Sequence, residues 1–223
     1  MFNLSRGVKQ GDPLSPNLFN AALEQVFSNL DWNGKGVRID GVRLGHLRFA
    51  DDIVLLSSDR EELQQMLGGL CEESEKAGLR INRSKTKVMS NSPGSKLRVG
   101  DTDLEYVEDY TYLGQIISFK NKTNKEISKR VSQAWKSFWA QKRIFKGKLN
   151  ISSKVKMLEA CIIPILTYGA QTWSVTQAQA RKMVSAQRAF ERSLLNIRKS
   201  VKIKASLIRS KTKCKGVNYT IKN

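Results

Sequence analysis

His46-Leu47-Arg48-Phe49-Ala50-Asp51-Asp52-Ile53-Val54-Leu55-Leu56 sets two carboxylates between two apolar runs. His46 to Phe49 leads in and Ile53 to Leu56 leads out, so the stretch predicts a paired run with Ala50-Asp51-Asp52 between its arms. Four consecutive apolar residues, Ile53 to Leu56, fit a buried strand. Neighbouring side chains of a strand point to opposite faces, and a tight turn relaxes that rule and lets both acids reach one cation. Hard divalent cations such as Mg²⁺ take carboxylate oxygens together with substrate phosphates. A pair of such ions clamps the attacking and leaving oxygens in phosphoryl transfer. Asp-Asp pairs are also common in solvated turns, so the pair gains its meaning from what surrounds it.

Upstream, Val37-Arg38-Ile39 and Val42-Arg43-Leu44 flank Asp40-Gly41, a dipeptide favoured in tight type I′ hairpins. Before them, Gly7-Val8-Lys9-Gln10-Gly11-Asp12-Pro13-Leu14-Ser15-Pro16-Asn17 reads as a loop with fixed bends. It feeds a helix over Leu18 to Leu30, with Leu18, Ala22, Val26 and Leu30 spaced every four residues. Downstream, Asp59 followed by Glu62 marks a helix start. Leu63, Met66, Leu67, Leu70, Ser74 and Ala77 make one face of that helix, and Gly78 ends it. Lys87 to Met89, Leu97 to Val99 and Tyr112 to Ile117 are strand candidates. The second half reads helical. Ile127, Val131, Ala134, Phe138 and Phe145 form one apolar series, Met183, Ala186, Phe190, Leu194 and Ile197 another, and Ser152 or Ser153 caps a helix between them. Beyond Arg198 the chain is Lys-rich and weakly periodic, and the expectation is poor order.

Charge divides the chain as sharply as pattern does. The net charge is +19 over 223 residues. Up to Asp109 there are 14 Lys/Arg against 17 Asp/Glu; from Tyr110 onward there are 25 against 3. The first part can hold cations and the second can hold phosphates, so nucleic acid is the expected partner. Ion pairing cannot neutralise the second part. Trp135, Trp139 and Trp173 lie among its bases, where they either stack on nucleobases or fill the core. Cys71, Cys161 and Cys214 have neither zinc-site nor disulfide spacing. That favours a reducing, intracellular setting, nuclear or cytoplasmic and not secreted. No signal peptide stands out, and no stretch approaches the ~20 apolar residues of a membrane span. His46 is the sole histidine, so Ser–His–Asp chemistry lacks support.

Four ordered blocks complete the reading. They are Arg6-Gly7-Val8-Lys9-Gln10-Gly11-Asp12-Pro13-Leu14-Ser15-Pro16, then Phe49-Ala50-Asp51-Asp52, then Gly78 to Met89 with Lys85, and last Tyr112-Leu113-Gly114. Together they resemble the reverse transcriptases of non-LTR (LINE-type) retrotransposons. Ile162 to Trp173 is similar to the thumb-side segment of the same elements. The resemblance implies an α+β fold: a partial polymerase palm over residues 1–118, with the Asp-Asp hairpin and packed helices. A basic, helical, thumb-like region over 119–198 follows, then a basic tail over 199–223. It implies RNA-directed DNA synthesis with Mg²⁺ (or Mn²⁺), deoxynucleoside triphosphates, an RNA template and a DNA primer.

The resemblance also implies roles. Asp51 would be a catalytic metal ligand, with Asp52 beside it. Gln10, Gly11, Phe49 and Ala50 would line the nucleotide. Lys85 would lie near the triphosphate and protonate the pyrophosphate leaving group, although by itself it reads as one of many solvated lysines. Tyr112, Leu113 and Gly114 would grip the primer. The family's site takes another aspartate from a strand well upstream of the Gln10-Gly11 loop, and no candidate precedes Asp12. The expectation is an incomplete two-metal site, a chain inactive alone, and both ends truncated. An exposed sheet edge and apolar face would then favour self-association or a protein partner. The rival reading is a non-enzymatic nucleic-acid-binding protein. A metal-dependent nuclease would need more acids near Asp51, because Glu61 and Glu62 fit a helix N-terminal turn better.

Overall fold

The computed structural model describes residues 7–217 apart from Gln10, Pro93, Ser95 and Lys199. The chain divides into two units, one ending at Tyr110 and the other beginning at Thr111.

The first unit opens with helix α1 (Ser15–Ser28), which has Pro16 in its first turn. Its buried face carries Leu23, Val26 and Phe27, with Phe19 and Leu30 packed alongside. Leu18, expected on that face, is 58% exposed, so the face is rotated by one residue from the sequence expectation. Strands β1 (Val37–Ile39) and β2 (Val42–Leu44) pair antiparallel through Asp40-Gly41. Both turn residues have positive φ, 47° and 86°, the type I′ signature. Strands β3 (His46–Phe49) and β4 (Asp52–Leu55) form the next hairpin. Ile53, Val54 and Leu55 are half-buried in it rather than buried, because β4 pairs with one neighbour only among the described residues.

Helix α2 (Arg60–Lys76) is the centre of the unit. Asp59 caps it by accepting from the Glu62 amide at 2.8 Å. Its far end is a Schellman motif: the Gly78 amide donates to Glu75 and the Leu79 amide to Ser74, with Gly78 at φ 76°. Met66, Leu67, Leu70 and Ser74 are buried, whereas Ala77 lies past the face and is exposed. Leu70 packs with the residues of α1. Leu67 packs with Val88, Leu97, Val99 and Leu104. Those four come from or flank short strands: β5 (Lys87–Val88), β6 (Arg98–Val99), β7 (Thr102–Asp103) and β8 (Glu105–Tyr106). β5 and β8 pair in parallel, β6 and β7 antiparallel.

Strand β9 (Asp109–Tyr112) runs across the division between the units and pairs with β10 (Gln115–Ser118). The expected single strand over Tyr112 to Ile117 is therefore a hairpin that reverses at Leu113-Gly114. The second unit holds helix α3 (Lys122–Ala140), short helices α4 (Lys142–Lys146) and α5 (Ile151–Met157), and a π-helical turn over Leu158–Ile162. Helices α6 (Ile163–Thr167), α7 (Gln177–Leu194) and α8 (Ala205–Thr212) complete it. Its core gathers Ile127, Ala134, Phe138, Phe145, Leu158, Ile162, Leu166, Met183, Phe190 and Leu194. The predicted apolar series thus face inward, except that Val131 is only partly buried and Ile197 lies past the end of α7, half-buried and outside this core. Asn150, not Ser152 or Ser153, caps α5; it accepts from the Ser153 amide at 2.8 Å.

Two expectations change here. The unit boundary falls before β10, not after residue 118, because β10 is tied to α3: the Ile116 amide donates to the Glu126 carboxylate at 2.7 Å. The segment from Ala205 to Val217, expected to be poorly ordered, forms α8 and joins the core. Ile208, Cys214 and Val217 are buried. Gln187, itself fully buried, donates to the Lys215 carbonyl at 2.7 Å and accepts from the Val217 amide at 2.8 Å. Among the described residues no helix is long and apolar enough to cross a membrane.

Candidate functional site

The β3–β4 hairpin pairs Phe49 with Asp52, so its turn consists of Ala50 and Asp51 alone. Asp52 begins β4 instead of sitting in the turn. Ala50 takes φ 52°, in the left-handed region, and reverses the chain within two residues. Both acids are exposed. Among the described residues, no hydrogen bond or ion pair engages either carboxylate. Phe49, also exposed at 63%, flanks them.

The hairpin is held firmly along its length. Arg48 of β3 pairs with Glu24 of α1 at 2.9 Å. Its guanidinium also lies 4.2 Å from the centre of the Phe27 ring. His46 packs against Phe27 and Trp32, each at 5.2 Å between ring centres. Burial, and then the Arg48 guanidinium, lower the His46 pKa below its ordinary value, which favours a neutral, structural imidazole. The Leu56 amide donates to the Gly45 carbonyl at 2.8 Å and closes the base. The result is a fixed stem presenting two uncompensated carboxylates.

That donor set suits a hard cation in kind, since carboxylate oxygens are what Mg²⁺ takes. In number it is partial. Among the described residues no three His, Cys, Asp or Glu side chains come together to hold a metal ion. Further oxygen ligands must come from water, substrate phosphates or another carboxylate.

Of the remaining predicted positions, Gly11 is exposed with φ 85°. Its loop is pinned by the Ser15 hydroxyl donating to the Lys9 carbonyl at 2.6 Å and by the Leu14 amide donating to Asp12 at 2.9 Å. Gln10 lies outside the described residues. Lys85 is exposed in a turn organised by Asn82, whose side chain accepts from the Lys85 amide at 3.2 Å. No hydrogen bond or ion pair joins Gly11 or Lys85 to the acid pair among the described residues.

In the second unit, Leu113 and Gly114 form the β9–β10 turn with φ 46° and 80°. Side chains to which the sequence reading gave no role at this turn hold it. Arg130 and Lys129 donate to the Gly114 carbonyl at 2.6 and 3.2 Å, and the Tyr168 hydroxyl donates to the Leu113 carbonyl at 3.1 Å. The only sequence signal was the spacing of Glu126 and Arg130, one helical turn apart. Of the three tryptophans among the bases, Trp173 is buried, Trp135 packs on Phe138 and Phe190, and Trp139 is 48% exposed. Only Trp139 offers an open ring.

The protein-family model described as reverse transcriptase (RNA-dependent DNA polymerase) matches residues 2–117. The chain is 33% identical over 167 residues to a transposon-derived protein of Caenorhabditis elegans, a match covering 72% of this chain and 60% of that protein. It is 34% identical over 126 residues to the retrovirus-related Pol polyprotein from type-1 retrotransposable element R2 of Nasonia vitripennis, covering 50% of this chain and 12% of the polyprotein. Against the corresponding polyprotein of Popillia japonica the identity is 29% over 191 residues, covering 80% of this chain and 26% of the polyprotein. The chain thus spans less than two thirds of each of these relatives.

Proposed function

The chain belongs to the reverse transcriptase (RNA-dependent DNA polymerase) family, of the kind carried by non-LTR retrotransposons, and on that premise we propose that it supplies part of an RNA-directed DNA polymerase. The first unit is a partial palm and the second a basic, thumb-like region. The observation that carries the reading is the pair of exposed carboxylates, Asp51 and Asp52, with no hydrogen bond or ion pair among the described residues, at the end of a hairpin whose first strand is tied to α1 by Arg48 and Glu24.

In this reading Asp51 holds a divalent cation, Mg²⁺ or Mn²⁺, with Asp52 as second ligand or support. A bound cation would polarise phosphoryl oxygens and offset charge developing between primer terminus and triphosphate. Gln10, Gly11, Phe49 and Ala50 line the incoming nucleotide; at Gly11 the missing side chain lets the backbone approach a ligand. Lys85 lies by the triphosphate and gives a proton to the departing pyrophosphate. Tyr112, Leu113 and Gly114 contact the primer strand, and the basic helices of the second unit track the phosphates of template and primer.

Two carboxylates are too few to complete a two-metal site, so residues 1–223 alone do not extend a primer. A self-association or a protein partner would cover exposed apolar side chains such as Ile39 and Leu47. A second reading, a non-enzymatic nucleic-acid binder, is favoured by one observation: 25 bases against 3 acids from Tyr110 onward.

The test is to add the purified chain to a primed RNA template with Mg²⁺ and deoxynucleoside triphosphates. Binding without extension is expected, and binding is expected to tighten with Mg²⁺ and the matching nucleotide unless Asp51 and Asp52 are replaced by Asn. Extension of the primer would overturn the incomplete site. Binding indifferent to Mg²⁺, nucleotide and both acids would favour the second reading.

A further inference from the structure

The Leu113-Gly114 turn is held more tightly than a surface hairpin needs. Leucine in the left-handed region is uncommon and strained. Both carbonyls of the turn are occupied, Leu113 by the Tyr168 hydroxyl and Gly114 by Arg130 and Lys129. Arg130 is itself fixed from several sides. Its Nε donates to Glu126 at 2.6 Å, its Nη1 donates to Gln133 at 3.2 Å, and its guanidinium lies 4.5 Å from the centre of the Tyr168 ring. Glu126 is fully buried and its second oxygen accepts from the Ile116 amide, so the same carboxylate orients Arg130 and β10.

A turn presents carbonyl oxygens, and these repel a phosphodiester. Here two cations cover the Gly114 carbonyl while the Leu113 side chain stays 38% exposed. Occupied carbonyls beside Lys129 and Arg130 make the turn approachable by a polyanion.

We propose that Arg130, oriented by Glu126 and backed by Tyr168, is a positioning residue that fixes the Leu113-Gly114 turn for contact with the primer strand. This rests on the reading of Tyr112-Leu113-Gly114 as the primer contact. Arg130 acts through the turn, not on the reacting atoms.

The test uses the full chain with Leu113→p-benzoylphenylalanine, a photoreactive side chain, and a labelled DNA primer on an RNA template. Crosslinking to the primer is compared in the parent, Arg130→Lys and Tyr168→Phe backgrounds, with overall affinity measured in parallel. Lysine cannot reproduce the guanidinium fork. Tyr168→Phe loses only a hydroxyl from a half-exposed ring and keeps the test valid should Arg130→Lys fail to fold. Each folded variant is expected to lose about fivefold in crosslink yield, the equivalent of one net hydrogen bond. Overall affinity, set by many other bases, should change little. Unchanged yield in folded variants overturns the positioning role and leaves the primer contact standing. A parent that does not crosslink overturns the primer contact itself and this proposal with it.

Discussion

Glu126 and Arg130 sit one turn apart on α3 and meet as a buried ion pair, Nε to Oε1 at 2.6 Å, with the carboxylate fully enclosed and the guanidinium nearly so. Removing one partner from such a pair strands the other charge in the interior. Glu126→Ala should therefore destabilise the second unit by about 3–5 kcal/mol. Glu126→Leu combined with Arg130→Met should cost much less, because neither charge then remains. Urea denaturation of Glu126→Leu, Arg130→Met and the double variant measures the coupling. Additive losses would show that the two residues do not act as a pair.

Ala50 reverses the β3–β4 hairpin at φ 52°. A left-handed alanine costs on the order of 1–2 kcal/mol, most of which glycine relieves while adding entropy to the unfolded chain. Ala50→Gly is expected to be neutral or to stabilise by up to ~1 kcal/mol. Ala50→Val, β-branched at positive φ, is expected to destabilise by at least ~1 kcal/mol. The urea midpoint of the first unit reads both. A stabilising valine would contradict the turn geometry.

Glu191 of α7 is buried, and its ionised form is poorly supported. One oxygen accepts from the Thr212 hydroxyl at 3.0 Å; the other has no hydrogen bond and lies 3.9 Å from Arg209. Burial outweighs those contacts and raises its pKa above the ordinary 4.5. The folded state therefore binds the proton more tightly than the unfolded chain does. Stability from this group is fully present below the unfolded pKa and is lost as pH rises through the folded one. Glu191→Gln should remove that loss, so the variant should equal or exceed the parent once pH has risen well above the ordinary 4.5, with the gap closing as pH falls below it. Denaturation midpoints across that range test it. A gap that widens toward low pH would reverse the sign.

Local chemistry was legible in the sequence, and long-range partnership was not. Asp40-Gly41, Asp59 and Gly78 act within a few residues, and each does what its type predicts. The face of α1 was ambiguous because two rows of apolar residues run along it, Leu18-Ala22-Val26-Leu30 and Phe19-Leu23-Phe27. Packing against Leu70 of α2 settles it between the two, burying Val26 with Leu23 and Phe27 and leaving Leu18 outside. The order of Ala205 to Val217 escaped notice because its anchors are sparse. It depends on Gln187 and Glu191, buried polar side chains on α7 whose partners lie more than twenty residues along the chain. At the site, the two acids stood out as a motif. The clasp on Leu113 and Gly114 did not, since Glu126 and Arg130 look like an ordinary surface pair until Gly114 and Tyr168 are folded over them.

The most direct measurement asks whether the β3–β4 turn holds a divalent cation. Fe²⁺ supplied in place of Mg²⁺, with ascorbate and peroxide, cleaves a polypeptide beside the site that binds it. With the full chain, a primed RNA template and a nucleotide that cannot react, cleavage should fall within a few residues of Asp51. It should be suppressed by excess Mg²⁺ and disappear in Asp51→Asn. Cleavage located elsewhere, or cleavage at the hairpin that persists in Asp51→Asn, would contradict the assignment of the acid pair as a metal site.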